Sequence, residues 1–360
     1  FEIKKANSLQ THKEKDAVFA YHFYRLIQRA ENIWMIYNTE SDAMNNGEIS
    51  RFITQIEVEG VHNVDKNILI SKTPIKYKSE NLYIKTKDVQ KRLKSLFKNG
   101  ISASMLCLYS LDKIKFFENY ILGIKEKKIE ETIASSTLGN IIHDSLELLY
   151  ENLVGKNLDM EMLGKLKTKI NEYVEKVALQ YVREKSLQKG KNVIIIETAK
   201  NYVSKAIDID INQISKGNSI KIIAIEKEFK TELINKNQNY IIRGKIDRVD
   251  ELNGEIRIID YKSGKKLYKR NLELKEIGDL KNEKSIYNLQ LLVYAMGLFK
   301  EMKSRDIKTG IISLKNIKDG VLEGVYEGKN ILNNENMKVY EKEIIRMINE
   351  ILDVNIVFEN

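Results

Sequence analysis

The spacing of apolar positions changes along the chain, and the change divides it. Over 17–31 (AVFAYHFYRLIQRAE), aromatic and aliphatic residues recur at helical steps, which predicts a helix. The run NIWMIY at 32–37 reads as a short buried strand. Residues 50–55 (SRFITQ) read as the start of another helix, and 64–71 (VDKNILIS) as one more strand. The chain's one proline stands in PIKYKS at 74–79 and marks a boundary. Over 86–97, Val89, Leu93 and Phe97 form one helical stripe, which Asn99-Gly100 ends. Ser102 has the chemistry of an N-cap for a helix starting at Ala103. Leu138, Ile142, Leu146, Leu149 and Leu153 outline an amphipathic helix, and two long helices follow near 160–184 and 193–213.

From 219 onward the period is two. Strands are predicted at 219–225, 229–233, 240–249 and 255–262. Asn253-Gly254, between the last two, is the favoured pair for a tight hairpin turn. A helix at 285–299, a strand at 309–314, another near 320–326 and a last helix at 335–352 complete the order. That order describes an α/β domain with a mixed sheet. No internal repeat is visible.

Composition narrows the classes. With 360 residues, 42% of them apolar, the chain has material for one to three domains and is too apolar for a disordered one. Its single cysteine excludes a disulfide framework, a four-cysteine zinc site and a self-contained four-cysteine iron–sulfur cluster. No apolar run is long enough to span a membrane, and FEIKKANSLQTHKEKDA at the start lacks the apolar core of a signal peptide. No membrane partner is therefore expected, and the cytoplasm is the default compartment. The chain starts at Phe1 rather than Met, which reads as a fragment of a longer protein. The net charge of +9 suits a polyanionic partner, or simply a Lys-rich solvated surface.

The hairpin carries the chemistry. Residues two apart on a strand face the same side, so Asp260 and Lys262 of Ile258-Ile259-Asp260-Tyr261-Lys262 project together. Such a pair alone is most often a surface ion pair worth under about 1 kcal/mol. The preceding strand, however, carries Asp247 in Gly244-Lys245-Ile246-Asp247-Arg248-Val249-Asp250, within hairpin reach of Asp260. Two converging carboxylates beside a lysine make a hard-oxygen site suited to Mg²⁺ or Mn²⁺, and the lysine could position and activate a water against a phosphodiester or stabilise developing charge. Upstream, Gly139, His143 and Glu147 are four apart on one helix face. A lone helical histidine is more often structural than a ligand, although neutral imidazole accepts Mn²⁺ well. Gln290 and Tyr294 share a later helix face, as ordinary amphipathic residues or as groups that orient Lys262 or hold a phosphate.

The ordered set Gly-x-x-x-His-x-x-x-Glu, Gly-x-x-Asp-Arg-x-Asp, Asp-Tyr-Lys-Ser-Gly and Gln-x-x-x-Tyr, spread over roughly 101–294, resembles the RecB/AddB-like branch of the PD-(D/E)XK nuclease superfamily. The resemblance implies a restriction-endonuclease-like core over 79–360, with a mixed central sheet flanked by helices. It implies His143, Asp247, Asp260 and the Tyr261 carbonyl as ligands of one or two Mg²⁺ or Mn²⁺ ions. Lys262 is then the catalytic lysine, Gln290 and Tyr294 form a paired motif, Glu147 assists, and Arg248 and Glu228 support the fold. Many relatives bind an iron–sulfur cluster through a cysteine at the place that Asp112-Lys113 holds here and three near the C-terminus; with Cys107 alone, no cluster is expected. Residues 1–78, through Tyr24-Arg25-Leu26-Ile27-Gln28-Arg29-Ala30, resemble the end of an inactive helicase-like portion, and the chain has no phosphate-loop motif. The implied function is a DNA nuclease, most simply an exonuclease, within a double-strand-break repair protein that acts with a helicase–nuclease partner subunit. The alternative is a non-catalytic DNA-binding or scaffolding module of a repair complex.

Overall fold

The computed structural model of the chain describes residues 12–37, 49–68, 83–124, 133–183, 187, 190–235, 238–302 and 306–359. It separates into two compact units, Phe1–Tyr77 and Lys78–Asn360.

In the first unit, α1 (His12–Ile27) and α2 (Arg51–Glu59) are joined by stacking of Phe23 on Phe52, with ring centroids 5.1 Å apart, and by a 3.1 Å ion pair between Arg51 and Asp16. The predicted strand at 32–37 does not form. Trp34 and Ile36 are each 85% exposed, because an apolar run makes a strand only where a neighbouring strand pairs with it. Residues 64–68 are likewise irregular; 69–71 and the proposed boundary at 74–79 lie outside the described residues.

The second unit is a mixed sheet between two helical layers. Its helices are α3 (Lys87–Lys98), α4 (Ala103–Leu111), α5 (Lys113–Phe116), α6 (Ser135–Tyr150), α7 (Met160–Tyr181), α8 (Lys191–Ser215), α9 (Ile286–Glu301) and α10 (Asn334–Leu352). Ser102 caps its helix as the sequence implies, its Oγ accepting from the Met105 N–H, and Asp159 caps α7 by accepting from the Met162 N–H. The main strands are β1 (Ile101–Ser102), β2 (Ile220–Leu233), β3 (Tyr240–Leu252), β4 (Glu255–Lys262) and, beyond the two-residue β5 (Glu273–Leu274), β6 (Ile307–Ser313).

β2 runs antiparallel along one edge of β3 from end to end, so the other edge is shared by parallel β1 and antiparallel β4. β4 then pairs in parallel with β6. The β3–β4 connection is the expected tight turn: Asn253 and Gly254 both have positive φ, 51° and 90°. The strand expected near 320–326 splits at Gly324. β7 (Val321–Glu323) stays on β6, while β8 (Val325–Tyr326) pairs with β5. A side chain on Gly324 would overlap the Thr309 hydroxyl, so the bend belongs to glycine. The short β9 (Ile331–Leu332) completes the β6 edge.

One core joins α3, α4, α9 and α10 to one sheet face, including Leu106, Ile242, Ile258, Leu292 and Ile344. The other joins α6, α7 and α8 to the opposite face, including Ile142, Leu163, Val203 and Ile259. Lys85 turns inward, donating to the Glu350 and Asp353 carbonyls at 3.1 and 2.7 Å, and burial lowers its ammonium to about 8. Among the described residues no helix is long and apolar enough to cross a membrane.

Candidate functional site

The β3–β4 ladder is paired from the hairpin only as far as Arg248 opposite Ile259. Beyond it the strands part, and Asp247 fills the gap: its Oδ2 accepts from the Tyr261 N–H at 2.9 Å, where a backbone carbonyl would otherwise serve. The opening at this strand end gathers the polar side chains.

α6 delivers His143 to the same point. Its Nδ1 lies 3.2 Å from Asp247 Oδ2 and its Nε2 lies 3.1 Å from the Tyr261 carbonyl. Gly139, one turn earlier, keeps that helix close to the loop after β4: an added Cβ would stand 3.3 Å from Ser263 Oγ. On β4, Asp260 and Lys262 project together, as the two-residue period requires, with Lys262 Nζ 2.8 Å from Asp260 Oδ2. This is an ion pair rather than a well-directed hydrogen bond, since the buried Oδ2 has no bond of good geometry. Asp260 Oδ1 accepts from Gln290 Nε2 at 3.1 Å, and the same amide donates to Tyr294 Oη at 2.7 Å. Gln290 and Tyr294 thus form the expected pair, and it is Asp260 that the amide holds.

The sequence reading missed Glu226. This residue lies on β2 opposite Asp247, between the paired positions Ile225–Arg248 and Lys227–Ile246. Its φ of 48° lies in the left-handed region and interrupts the strand's alternation. The carboxylate turns inward, 3.9 Å from His143 Nδ1 and 2.7 Å from Lys245 Nζ, whereas Glu228, two residues on, is exposed. Nothing in Glu-Lys-Glu announces which carboxylate turns in; the positive φ is set by the sheet. Glu147 lies farther out, with its carboxylate 3.9 Å from Lys245.

On the opposite face of β4 a buried network backs the site. Arg248, 1% exposed, makes two bonds to Asp210 of α8, at 2.7 and 3.1 Å, and one to Asp250 at 2.8 Å. Its Nη1 lies 3.4 Å from Tyr261 Oη. Arg257 bonds Asp250 twice, and Tyr150 donates to Asp210 at 2.6 Å. Two buried arginines against two buried aspartates balance in charge, the condition under which such groups tolerate burial. Cys107 donates to the Ile286 carbonyl at 3.5 Å, and burial pushes its thiol up to about 12.

The donor set fits a divalent cation. His143, Glu226 and Asp247 each offer a ligand atom, all within 4.8 Å of one another, and the combination of one imidazole and carboxylate oxygens suits a hard or borderline ion. Electrostatics agree. Burial works against a charged imidazole, yet its bonds to Asp247 and Glu226 and the charge of Asp260 raise His143 to about 10. The cluster carries negative charge in excess and draws a proton where a cation would satisfy it. Burial likewise pushes the Asp260 carboxyl up, with Asp247 adding to it, against the pull of Lys262. Burial would discharge Lys262, but Asp260 outweighs it and holds the ammonium above its ordinary value.

Comparison with known proteins bears on the same span. Among curated proteins none matches the sequence. A crystal structure of SSO0001 aligns at 14% identity over 66% of this chain and 82% of its own, with a TM-score of 0.23, too low to support a statement about fold. The sequence profile of the PD-(D/E)XK nuclease superfamily matches residues 100–358. That match takes in the whole sheet, both cores apart from α3, and every residue of the cluster, and the chain belongs to the PD-(D/E)XK nuclease superfamily, whose members hydrolyse phosphodiester bonds with divalent metal ions.

Proposed function

We propose that the chain is a Mg²⁺- or Mn²⁺-dependent deoxyribonuclease, an exonuclease within a RecB/AddB-like repair protein that works with a helicase–nuclease partner subunit. On this reading residues 1–78 are the remnant of a helicase-like portion and 79–360 the nuclease. The observation that carries it is the convergence of Asp247, His143, the Tyr261 carbonyl and the Asp260–Lys262 pair at one strand end.

His143, Glu226, Asp247, Asp260 and the Tyr261 carbonyl would hold the ion or ions. A bound ion supplies Lewis acidity at the phosphate and makes a water more acidic. The chain's own groups set the rest. Lys262, which Asp260 holds above its ordinary value against burial, is placed to donate hydrogen bonds to an attacking water or to a phosphate oxygen. Gln290 fixes one oxygen of Asp260 and leaves the other facing Lys262. Asp247 and His143 hold the backbone of Tyr261 from its N–H and its carbonyl, which keeps the end of β4 rigid.

The test is cleavage of end-labelled linear DNA, single- and double-stranded, with Mg²⁺, Mn²⁺ or EDTA, alongside Lys262→Ala. Cutting that EDTA abolishes and that Lys262→Ala lowers by about 100-fold or more is expected. Tight DNA binding without cutting in any divalent metal would reject catalysis in favour of a scaffolding role.

A further inference from the structure

The segment that leaves the site is held at two points and charged between them. After Lys262 the chain reads Ser-Gly-Lys-Lys-Leu-Tyr-Lys-Arg-Asn-Leu over 263–272. Leu267 and Leu272 are buried in the core. The Leu267 N–H donates to Ser313 Oγ at 3.1 Å, and its carbonyl accepts from the buried Asn316 amide at 2.7 Å. The Leu272 carbonyl accepts from the buried Asn288 amide at 2.9 Å.

Between these anchors Tyr268, Lys269 and Arg270 are exposed, Tyr268 by 40%. The Lys266 ammonium lies 5.3 Å and the Arg270 guanidinium 5.6 Å from the centre of the Tyr268 ring. Tyr268, Lys269, Arg270 and Asp319 line an open depression of about 420 Å³. Asp319 there is engaged by Asn316 at 2.7 Å.

Neighbouring lysines are matched: Lys245 with Glu226, Lys262 with Asp260, Lys281 with Glu350. Among the described residues, Lys265, Lys266, Lys269 and Arg270 have no carboxylate partner. Lys315 adds another cation, donating to the Gly264 carbonyl at 2.6 Å. Like charges concentrated on a fixed turn repel, and an anion laid across them relieves the repulsion. The exposed aromatic ring among them suits a flat, apolar face attached to that anion.

Position ties this surface to the site. Ser313, which holds Leu267, is the register partner of Lys262 on the adjacent strand, one strand spacing of about 4.8 Å away. Tyr268 follows Leu267 directly in the chain.

We propose that Tyr268, with Lys266, Lys269 and Arg270, is a stacking platform for single-stranded nucleic acid beside the scissile phosphate. An unpaired base takes the face of the Tyr268 ring over which a cation stands, and the flanking phosphates draw the cations off the ring. The proposal rests on the nuclease reading and names its substrate as an unpaired strand, since a base stacked between its neighbours inside a duplex cannot offer its face to the ring.

The experiment is fluorescence anisotropy of labelled oligo-dT and oligo-U across a salt series in EDTA, with a duplex closed by hairpin loops at both ends as comparison and cleavage in Mn²⁺ run in parallel. Tyr268→Ala should weaken binding of both oligonucleotides about 5- to 100-fold, while Tyr268→Trp retains it. Lys269→Gln and Arg270→Gln should each lower the salt slope by about 0.7. Duplex binding should not depend on Tyr268. Unchanged single-strand binding by Tyr268→Ala, in a protein that still cuts DNA, overturns the platform and leaves the nuclease standing. Tyr268-dependent binding without cutting in any metal keeps the platform and overturns the nuclease. No single-strand binding by the unaltered protein overturns the platform, and the parallel cleavage assay then decides the nuclease reading by itself.

Discussion

Glu226 is the residue whose role depends most on its surroundings. A left-handed φ on a residue with a side chain costs on the order of 1 kcal/mol or more, and here it turns a carboxylate toward His143 rather than into solvent. Glu226→Gln should weaken Mn²⁺ binding by about tenfold or more in isothermal titration calorimetry, with the melting temperature little changed. Equal affinity would remove Glu226 from the ligand set. Gln290 has the complementary role, because one amide serves both Asp260 and Tyr294. Gln290→Ala should lower cleavage at saturating metal by about 10- to 100-fold. Restoration by Gln290→Asn, whose amide is a methylene shorter and cannot span both partners, would contradict this bridging.

At the scale of elements, α9 departs most from a simple helical pattern. It is buried nearly all round, so its sequence shows little polar face although it packs under the whole sheet. Gly297 stands mid-helix, where glycine ordinarily costs about 1 kcal/mol relative to alanine. The Phe229 ring from β2 explains it. A Cβ at Gly297 would overlap that ring, and one at Gly244 on β3 would come within 2.8 Å of it. Gly297→Ala should therefore destabilise the protein by about 1–3 kcal/mol in urea unfolding, despite alanine's better helix propensity. A stabilised variant would show that Phe229 is free to move aside.

At the scale of the whole molecule, Glu350 ties the end of α10 to distant parts of the nuclease unit. It accepts from Tyr109 at 2.9 Å and pairs with Lys281 at 2.8 Å and Lys113 at 3.4 Å. Burial raises its carboxyl, but the bonds from Lys281 and Tyr109 and the charge of Lys113 outweigh burial and hold it below its ordinary value. A carboxyl lower in the folded than in the unfolded chain adds stability above the ordinary carboxylate range. That stability is lost as pH falls through the folded value. Glu350→Gln should cost about 1 kcal/mol near neutrality, the scale of a partly exposed ion pair. The difference from the unaltered protein should shrink as pH falls through the folded value of Glu350, below the ordinary carboxylate range. A difference independent of pH, followed by thermal unfolding, would show that Glu350 acts through shape alone.

What the sequence determined is what neighbours in the chain decide. Period two placed Asp260 beside Lys262, Asn253-Gly254 supplied the turn that brings β3 to β4, and the four-residue step put Gln290 against Tyr294, because each is fixed by backbone geometry over a few residues. The tertiary structure decided which of several similar groups converge. His143 meets the Tyr261 carbonyl across 118 residues only because α6 packs on the sheet; Glu226 turns inward where Glu228 does not; and Arg248 finds Asp210 on a helix 38 residues earlier. The apolar run at 32–37 is the same lesson reversed, since strand-like composition gives no strand where none pairs with it. Local propensity spans a handful of residues, while burial, charge balance and strain are set by whatever the rest of the chain brings alongside.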